Sequence, residues 1–370
     1  MTTALVTGAY GFVGRNLCTA LARQPEVALD RFGTQNTSDD LDRFLDRADI
    51  IFHLAGVNRP ADEHEFQKVN VGLTEDICER LRRLGRRPRI VLASSTQAAL
   101  DNPYGLSKRL AEDVLHAFAA DTGASVVIYR LRNLFGKWSR PNYNSVVATF
   151  CHNIARDLPI TISDPSRQLE LTYIDDVVAA FLSELTLERN RDARYAEVER
   201  FYRVTLGELA SMIRSFRAVR NTLVLPSLGN QLTRALYATY LSFLPRNAFA
   251  YPLDSHADQR GALAELLKSL PFGQIFVSRT HPGVTRGNHY HDTKTEKFVV
   301  LEGEALIRFR HILEAEVIEY PVSGAEFRVV DIPPGYTHSI ANVGDSELVT
   351  LFWASELFDS AHPDTYYLAV

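Results

Sequence analysis

Thr3-Ala4-Leu5-Val6-Thr7-Gly8-Ala9-Tyr10-Gly11-Phe12-Val13-Gly14 is the stretch on which the reading of this chain turns. Residues 3–7 read as a buried strand, and Arg15 to Arg23 carry helical spacing. Three glycines lie between them. Gly8 permits a tight turn, Gly11 lets the backbone approach a pyrophosphate, and Gly14 lets helix and strand pack closely. The helix N-terminus then faces the phosphates. A strand, a glycine turn and a helix in this order form a dinucleotide fingerprint.

Further apolar strands follow at 27–32, 49–54, 89–93 and 125–131, with helical spacing between them. Such alternation predicts a parallel sheet with right-handed crossovers and ligands beyond the carboxyl ends of its strands. The second strand carries Asp30-Arg31. An acid there binds a ribose hydroxyl and an arginine accepts a 2′-phosphate, so local residues leave NAD and NADP both open. Leu54-Ala55-Gly56 lets backbone pass close to a cofactor, and Asn58 and Arg59 come next on that loop, placed to face a substrate. The fourth strand runs into Ser94-Ser95-Thr96.

Residues 101–109 read Asp-Asn-Pro-Tyr-Gly-Leu-Ser-Lys-Arg. Pro103 suits a helix start behind the capping residues Asp101 and Asn102. Tyr104 and Lys108 then share a helix face. An ammonium beside a phenol is expected to lower the Tyr104 pKa and make it a proton donor near neutral pH. Ser95 could hydrogen-bond the oxygen that Tyr104 protonates.

Composition narrows the class. The 370 residues, 46% hydrophobic with net charge −5, suit a soluble chain long enough for two domains. That balance offers no footprint for nucleic acid. No apolar run reaches membrane-span length, and the first residues lack signal-peptide character. Cys18, Cys78 and Cys151 are scattered and read as reduced thiols of a cytoplasmic protein.

From Pro245 to Pro252 the pattern shifts to short β-type runs at 274–279, 297–301, 305–311, 316–321, 327–332 and 348–354. These predict a sandwich or barrel. Within them lie Gly283-x5-His289-Tyr-His291-x4-Glu296-x6-Gly303 and, later, Pro333-Pro-Gly335-x2-His338-x3-Asn342. His289 and His291 share a face of a strand. With Glu296 and His338 they offer three imidazoles and a carboxylate, a set that suits several divalent metals without choosing among them. Its role could be catalytic or structural.

The first half is similar to the extended short-chain dehydrogenase/reductases that act on nucleotide sugars. The residues that carry this are Gly8/Gly11/Gly14, His53-Leu-Ala-Gly56, Ser94-Ser95, Tyr104-x3-Lys108, Arg130-x2-Asn133-x2-Gly136 and Tyr173-Ile-Asp-Asp176. The second half resembles a cupin. The fold expected is an α/β Rossmann-like, doubly wound parallel sheet over 1–246, followed by an all-β cupin barrel over 250–370. Ser95, Tyr104 and Lys108 are implied as the catalytic triad. Gly8, Tyr10, Gly11, Phe12, Val13, Gly14, Arg31, Leu54, Ala55, Gly56, Tyr104, Lys108 and Leu131 are implied against the cofactor. Asn58, Arg59, Asn133, Asn142 and Asn144 are implied against the substrate. His289, His291, Glu296 and His338 are implied as metal ligands.

The fused order resembles the UDP-2-acetamido-2,6-dideoxy-β-L-talose reductases of bacterial capsular polysaccharide synthesis. The match extends through Phe135-Gly-Lys-Trp138, Pro141-Asn-Tyr-Asn-Ser145, Gly287-Asn-His289 and Pro363-Asp-Thr-Tyr366. It implies C3 epimerisation of a UDP-linked 4-keto-6-deoxy amino sugar in the cupin and C4 reduction with NADPH in the first domain. It also implies zinc and a homodimer. Two alternatives stay open on the residues alone: an epimerase or dehydratase that recycles bound NAD, and a non-catalytic redox-sensing protein.

Overall fold

The computed structural model describes residues 1–60, 62–188 and 191–370. They form two compact units, residues 1–213 with 235–245 and residues 214–234 with 246–370.

In the first unit the chain runs β1 (Thr2–Thr7), α1 (Phe12–Leu21), β2 (Val27–Phe32), α2 (Ser38–Arg47), β3 (Ile50–His53), α3 (Leu73–Leu84), β4 (Arg89–Ser95), α4 (Pro103–Thr122) and β5 (Val126–Leu131). It continues through β6 (Asn133–Phe135), α5 (Val146–Ile154), β7 (Gln168–Tyr173), α6 (Ile174–Ser183), β8 (Ala193–Ala196) and β9 (Tyr202–Thr205). The main sheet has the order β2-β1-β3-β4-β5-β8 and is parallel throughout. Its strands are near-continuous apolar runs because both faces are covered. One face packs on α1 and α6 through Val6, Leu17, Phe52 and Phe181. The other packs on α2, α3 and α4 through Leu5, Phe44, Leu81 and Phe118. The strand order reverses at β1, so the crevice beyond β1 and β3 is where such a sheet takes a ligand. Gly8 follows β1 there, and Leu54 follows β3. A smaller sheet, β6-β7-β9, was not anticipated from the sequence.

The second unit is all antiparallel strand apart from its helical start. Its elements are β10 (Ser255–Asp258), β11 (Gly261–Ser269), β12 (Gly273–Thr280), β13 (Thr285–Tyr290), β14 (Glu296–Glu302), β15 (Glu304–His311), β16 (Val317–Ser323), β17 (Val329–Ile332), β18 (Tyr336–Asn342), β19 (Leu348–Ala354) and β20 (Tyr366–Tyr367). They make two sheets, β10-β11-β12-β19-β14-β17 and β16-β15-β18-β13-β20. Phe298, Ile307, Phe309, Ile340 and Phe352 fill the core between them. Among the described residues no helix is long and apolar enough to cross a membrane. All three cysteines are free and buried.

Candidate active site and metal centre

Gly8 sits at φ +66°, and a Cβ there would stand 2.7 Å from the amide nitrogen of Ala55. A Cβ at Gly14 would stand 2.2 Å from the Gly8 carbonyl oxygen, so the helix approaches the turn as closely as backbone allows. Gly11 donates its amide to Gly8 O at 3.0 Å and caps α1, which Phe12 and Val13 begin, with no side chain over its first amides. The half-exposed Tyr10 ring lies against Gly33.

The paired residues of β2 point opposite ways. Asp30 is buried and its carboxylate accepts two hydrogen bonds from Arg47 of α2, one of them at 2.7 Å. Arg31 points to the α1 side. It hydrogen-bonds the Cys18 thiol, whose pKa burial raises. With Tyr10, Arg15 and Trp138 it lines a cavity of about 280 Å³ beside the glycine turn.

Behind the turn runs a buried hydrogen-bonded chain. The amides of Leu54 and Ala55 donate to Thr7 Oγ1, each at 3.2 Å. Thr7 Oγ1 lies 2.7 Å from His53 Nδ1, and His53 Nε2 lies 2.9 Å from Thr74 Oγ1. Thr74 spends its proton on Asn70 O at 2.8 Å, so His53 must carry its own on Nε2 and accept at Nδ1. Burial first, then the Lys108 ammonium, pushes the His53 pKa down to about 3, and the ring stays neutral. Asn70 brackets Val57 through both amide groups, at 2.8 and 3.0 Å, and donates to Ser107 at 2.9 Å. Ser107 in turn donates to Tyr104 O at 2.8 Å. The loop carrying Leu54, Ala55 and Gly56 is thereby tied to the helix carrying Tyr104 and Lys108. Thr7, Asn70, Thr74 and Ser107 were missed in the sequence. The available signal was small polar side chains inside otherwise apolar elements.

Asn102 caps α4 by accepting from Gly105 N at 2.8 Å, with Pro103 in the first turn. Tyr104 and Ser95 share a hydrogen bond, and the Tyr104 ring lies 5.9 Å from Phe66. Ser95 Oγ also accepts from Gln97 N at 3.2 Å. Lys108 is buried and donates to Ala93 O at 3.0 Å. A Cβ on Gly56 would stand 3.3 Å from its Nζ, so the ammonium lies against the Gly56 loop. Leu131 is buried and pairs with Ser95 at the ends of β4 and β5.

The expected effect of Lys108 on Tyr104 is overturned. Burial raises the Tyr104 pKa, the Ser95 hydrogen bond lowers it in part, and the Tyr143 phenol adds to the rise. The Lys108 pKa is itself held down to about 8 by burial, which Glu112 partly offsets. Helix spacing brings the two side chains to one face, but the ammonium turns to the strand carbonyl. Glu112, one turn on, is buried and bound by Ser94, by Tyr195 at 3.0 Å and by Arg130 at 2.6 Å. Arg130 therefore serves the helix rather than the pocket.

Asn58 is half-buried and Arg59 exposed on the loop after Gly56, while Asn133, Asn142 and Asn144 are exposed. Asn142 takes φ +53°. Between the last two, Tyr143 approaches Tyr104 and lies under the Arg140 guanidinium at 4.9 Å. Tyr143 was not singled out from the sequence.

In the second unit β13 and β18 bring His289 opposite His338, with a bulge at Gly287 that re-aims the strand. The ring centres are 4.6 Å apart, and His291 is 5.0 Å from His289. One ligand atom from each of His289, His291, Glu296 and His338 can be chosen so that all lie within 4.8 Å of one another. His291 Nε2 and His338 Nε2 are buried without a hydrogen-bond partner among the described residues. They lie 3.4 and 3.5 Å from Glu296 Oε2. Their Nδ1 atoms face the carbonyls of Asp364 and Tyr336, which can only accept. Each ring thus carries its proton on Nδ1 and aims a lone pair from Nε2 at a common point. Burial and the neighbouring imidazoles push His289 down to about 4. Two orphaned lone pairs, a third imidazole and a carboxylate fit a divalent metal.

Residues 4–196 match the NAD dependent epimerase/dehydratase family, and residues 256–366 match the polysaccharide biosynthesis C-terminal domain. The chain is 48% identical over 366 residues to the UDP-2-acetamido-2,6-beta-L-arabino-hexul-4-ose reductase of Pseudomonas aeruginosa, covering 99% of this chain and 98% of that one. It is similar to the capsular polysaccharide assembling protein CapF of Staphylococcus aureus, with TM-score 0.92 and 44% identity over 99% of this chain and 100% of that structure. A structure of CapF with the inhibitor 3-isopropenyl-tropolone matches at TM-score 0.88 and 40% identity over the whole of both chains.

Proposed function

The chain belongs to the NAD dependent epimerase/dehydratase family and is a CapF-like capsular polysaccharide protein, and from that premise we propose a two-centre nucleotide-sugar enzyme. Its coarse activity is that of an oxidoreductase on a UDP-linked sugar, as the name of the Pseudomonas relative states for that protein. In the finer reading, residues 1–246 reduce the C4 ketone of a UDP-linked 4-keto-6-deoxy amino sugar with NADPH. Residues 250–370 epimerise C3 of the same sugar. The product is UDP-2-acetamido-2,6-dideoxy-L-talose. The enzyme works as a cytoplasmic homodimer.

The observation that carries the reading is that Tyr104 is partnered by Ser95 at the end of β4, while Lys108, one turn further along α4, lies against the Gly56 loop that follows β3. When bound, NADPH would supply the hydride that C4 receives. Tyr104 gives its phenolic proton to the alkoxide that forms. The raised pKa suits this role, because a phenol that stays protonated remains a donor. Ser95 holds the same oxygen. Lys108, against the Gly56 loop, orients the ribose and keeps positive charge near the developing alkoxide. The Arg31 side of β2 supports NADPH: a guanidinium borders the cavity there, while Asp30 is committed to Arg47.

In the cupin a C4 ketone acidifies the C3 proton, so one carbonyl serves both steps. His289, His291, Glu296 and His338 would hold the metal, zinc in this proposal, whose positive charge would favour loss of the C3 proton. A tropolone presents two adjacent oxygens of the kind that chelate such an ion, and its inhibition of CapF agrees with this reading. The test is incubation with NADPH and UDP-linked 4-keto-6-deoxy-N-acetylhexosamine in deuterated water. Deuterium at C3 and a hydroxyl at C4, with stoichiometric NADPH consumption, are expected. Turnover without net loss of NADPH would refute the reductase and favour an NAD-recycling epimerase.

A further inference from the structure

Residues 363–370 lie along the segments that carry three of the four metal-site side chains. The carbonyl of Asp364 accepts the Nδ1 proton of His291 at 2.5 Å. Its carboxylate accepts from the amides of Asp292, Thr293 and Lys294 at 2.9, 2.9 and 2.8 Å, and from the Thr293 hydroxyl at 3.0 Å. One side chain therefore caps the whole turn between His291 and Glu296. Thr365 Oγ1 meets the buried Lys294 ammonium at 3.1 Å. Tyr366 and Tyr367 then pair with Tyr290 and His289 as an added strand. Leu368 donates to Asn288 O at 2.9 Å, and its carbonyl accepts from the hydroxyl of Thr337, the neighbour of His338.

A neutral imidazole offers a lone pair at only one nitrogen, and the partner of the other nitrogen decides which. Freed from an acceptor at Nδ1, His291 would place its proton on Nε2 part of the time, and that nitrogen could not ligate. The turn matters as much, because it sets the separation of His291 from Glu296. We infer that residues 363–370 form the outer layer of the metal centre, with Asp364 as the positioning residue that fixes the tautomer of His291 and the turn to Glu296. This inference rests on the reading of His289, His291, Glu296 and His338 as a metal site.

The experiment uses the full chain, stripped of metal and titrated with Co²⁺, whose visible absorption reports its ligand set. Asp364→Ala keeps the main-chain carbonyl but removes the carboxylate that seats it over His291 and holds the turn, so it should bind Co²⁺ about 10–100-fold more weakly than the wild type, with an altered visible spectrum. Asp364→Asn, which keeps one acceptor oxygen, should fall between. Cofactor binding by residues 1–213 should not move. Unchanged affinity and spectrum in Asp364→Ala would overturn the inference. So would a variant whose only change is a lower unfolding midpoint without metal, since that is all a merely structural residue would give. A wild type that takes up no Co²⁺ would sink the metal reading itself, and the inference with it. Should Asp364→Ala not fold, nitrogen-15 NMR of metal-free wild type decides. His291 protonated at Nδ1 supports the inference, and protonation at Nε2 overturns it.

Discussion

Replacing Arg31 by Ala should cut the preference for NADPH over NADH without touching the use of NADH. The structure sets the size of the effect. Arg31 is exposed on the α1 side of β2 and lines the cavity of about 280 Å³ with Tyr10, Arg15 and Trp138. A unit charge pair about 4 Å apart is worth ~1 kcal/mol in water and ~4 kcal/mol at an effective dielectric near 20. An exposed guanidinium sits toward the lower end, so ~1–2 kcal/mol is lost with the side chain. That is roughly 5–30-fold in the ratio of kcat/KM for the two cofactors. Arg15 borders the same space and keeps part of the preference, so Arg15→Ala with Arg31→Ala should lose more than either alone. The assay is initial-rate reduction with NADPH and with NADH at low and high salt, where screening should shrink the wild-type preference. An unmoved ratio would refute the placement of the 2′-phosphate. A parallel fall with both cofactors would show that Arg31 supports the fold of the turn instead.

Tyr104→Phe should keep cofactor affinity near the wild-type value and slow hydride transfer by ~10² or more, as loss of a positioned acid does; near-native single-turnover rates would remove Tyr104 from the chemistry. Lys108 titrates from about 8 where the free side chain titrates at 10.5, so reductive kcat/KM should fall as pH rises through about 8. Tyr104 stays protonated across that range because its own pKa is raised, and a basic limb confined to pH near 10 would contradict the assignment. For stability the sign is opposite: between those two values the unfolded chain binds more protons at Lys108, so its contribution to the unfolding free energy rises with pH. A Lys108→Met variant that shows the same slope in this window would disprove that link. His289→Ala combined with His291→Ala should abolish bound metal by elemental analysis; full occupancy would contradict the ligand set.

The features legible in the sequence were those that short-range geometry decides. Gly8 and Gly14 announce a turn because backbone stands where their Cβ atoms would be. Asn102 and Pro103 announce a helix start because they cap it within four residues. His289 and His291 announce a site because strand alternation keeps them on one face. The illegible part depends on direction and on distant segments. The spacing of Tyr104 and Lys108 gives nearness on a helix, but not that the ammonium would turn to Ala93. Asp30 and Arg31 look like rival cofactor contacts until the sheet assigns them to opposite faces and α2 supplies Arg47 to one of them. No pattern of adjacent residues reveals that Thr7, His53, Thr74 and Asn70 form one proton-ordered chain. The same holds for His291 and Asp364, which meet across 73 residues.

These hidden partners share a physical role. The groups proposed to react must each keep one side open to a ligand, and so cannot be fixed by packing on every side. Their orientation is set instead from behind, by buried groups whose hydrogen bonds are fully committed. Thr74 has already given its proton to Asn70, so His53 has one tautomer, and Thr7 has one direction in which to donate. Each such commitment removes an alternative arrangement, and in a low-dielectric interior an unmade bond is costly enough to enforce it. On this argument a variant at Asn70 should loosen the Gly56 loop and α4 together, since both depend on the same amide.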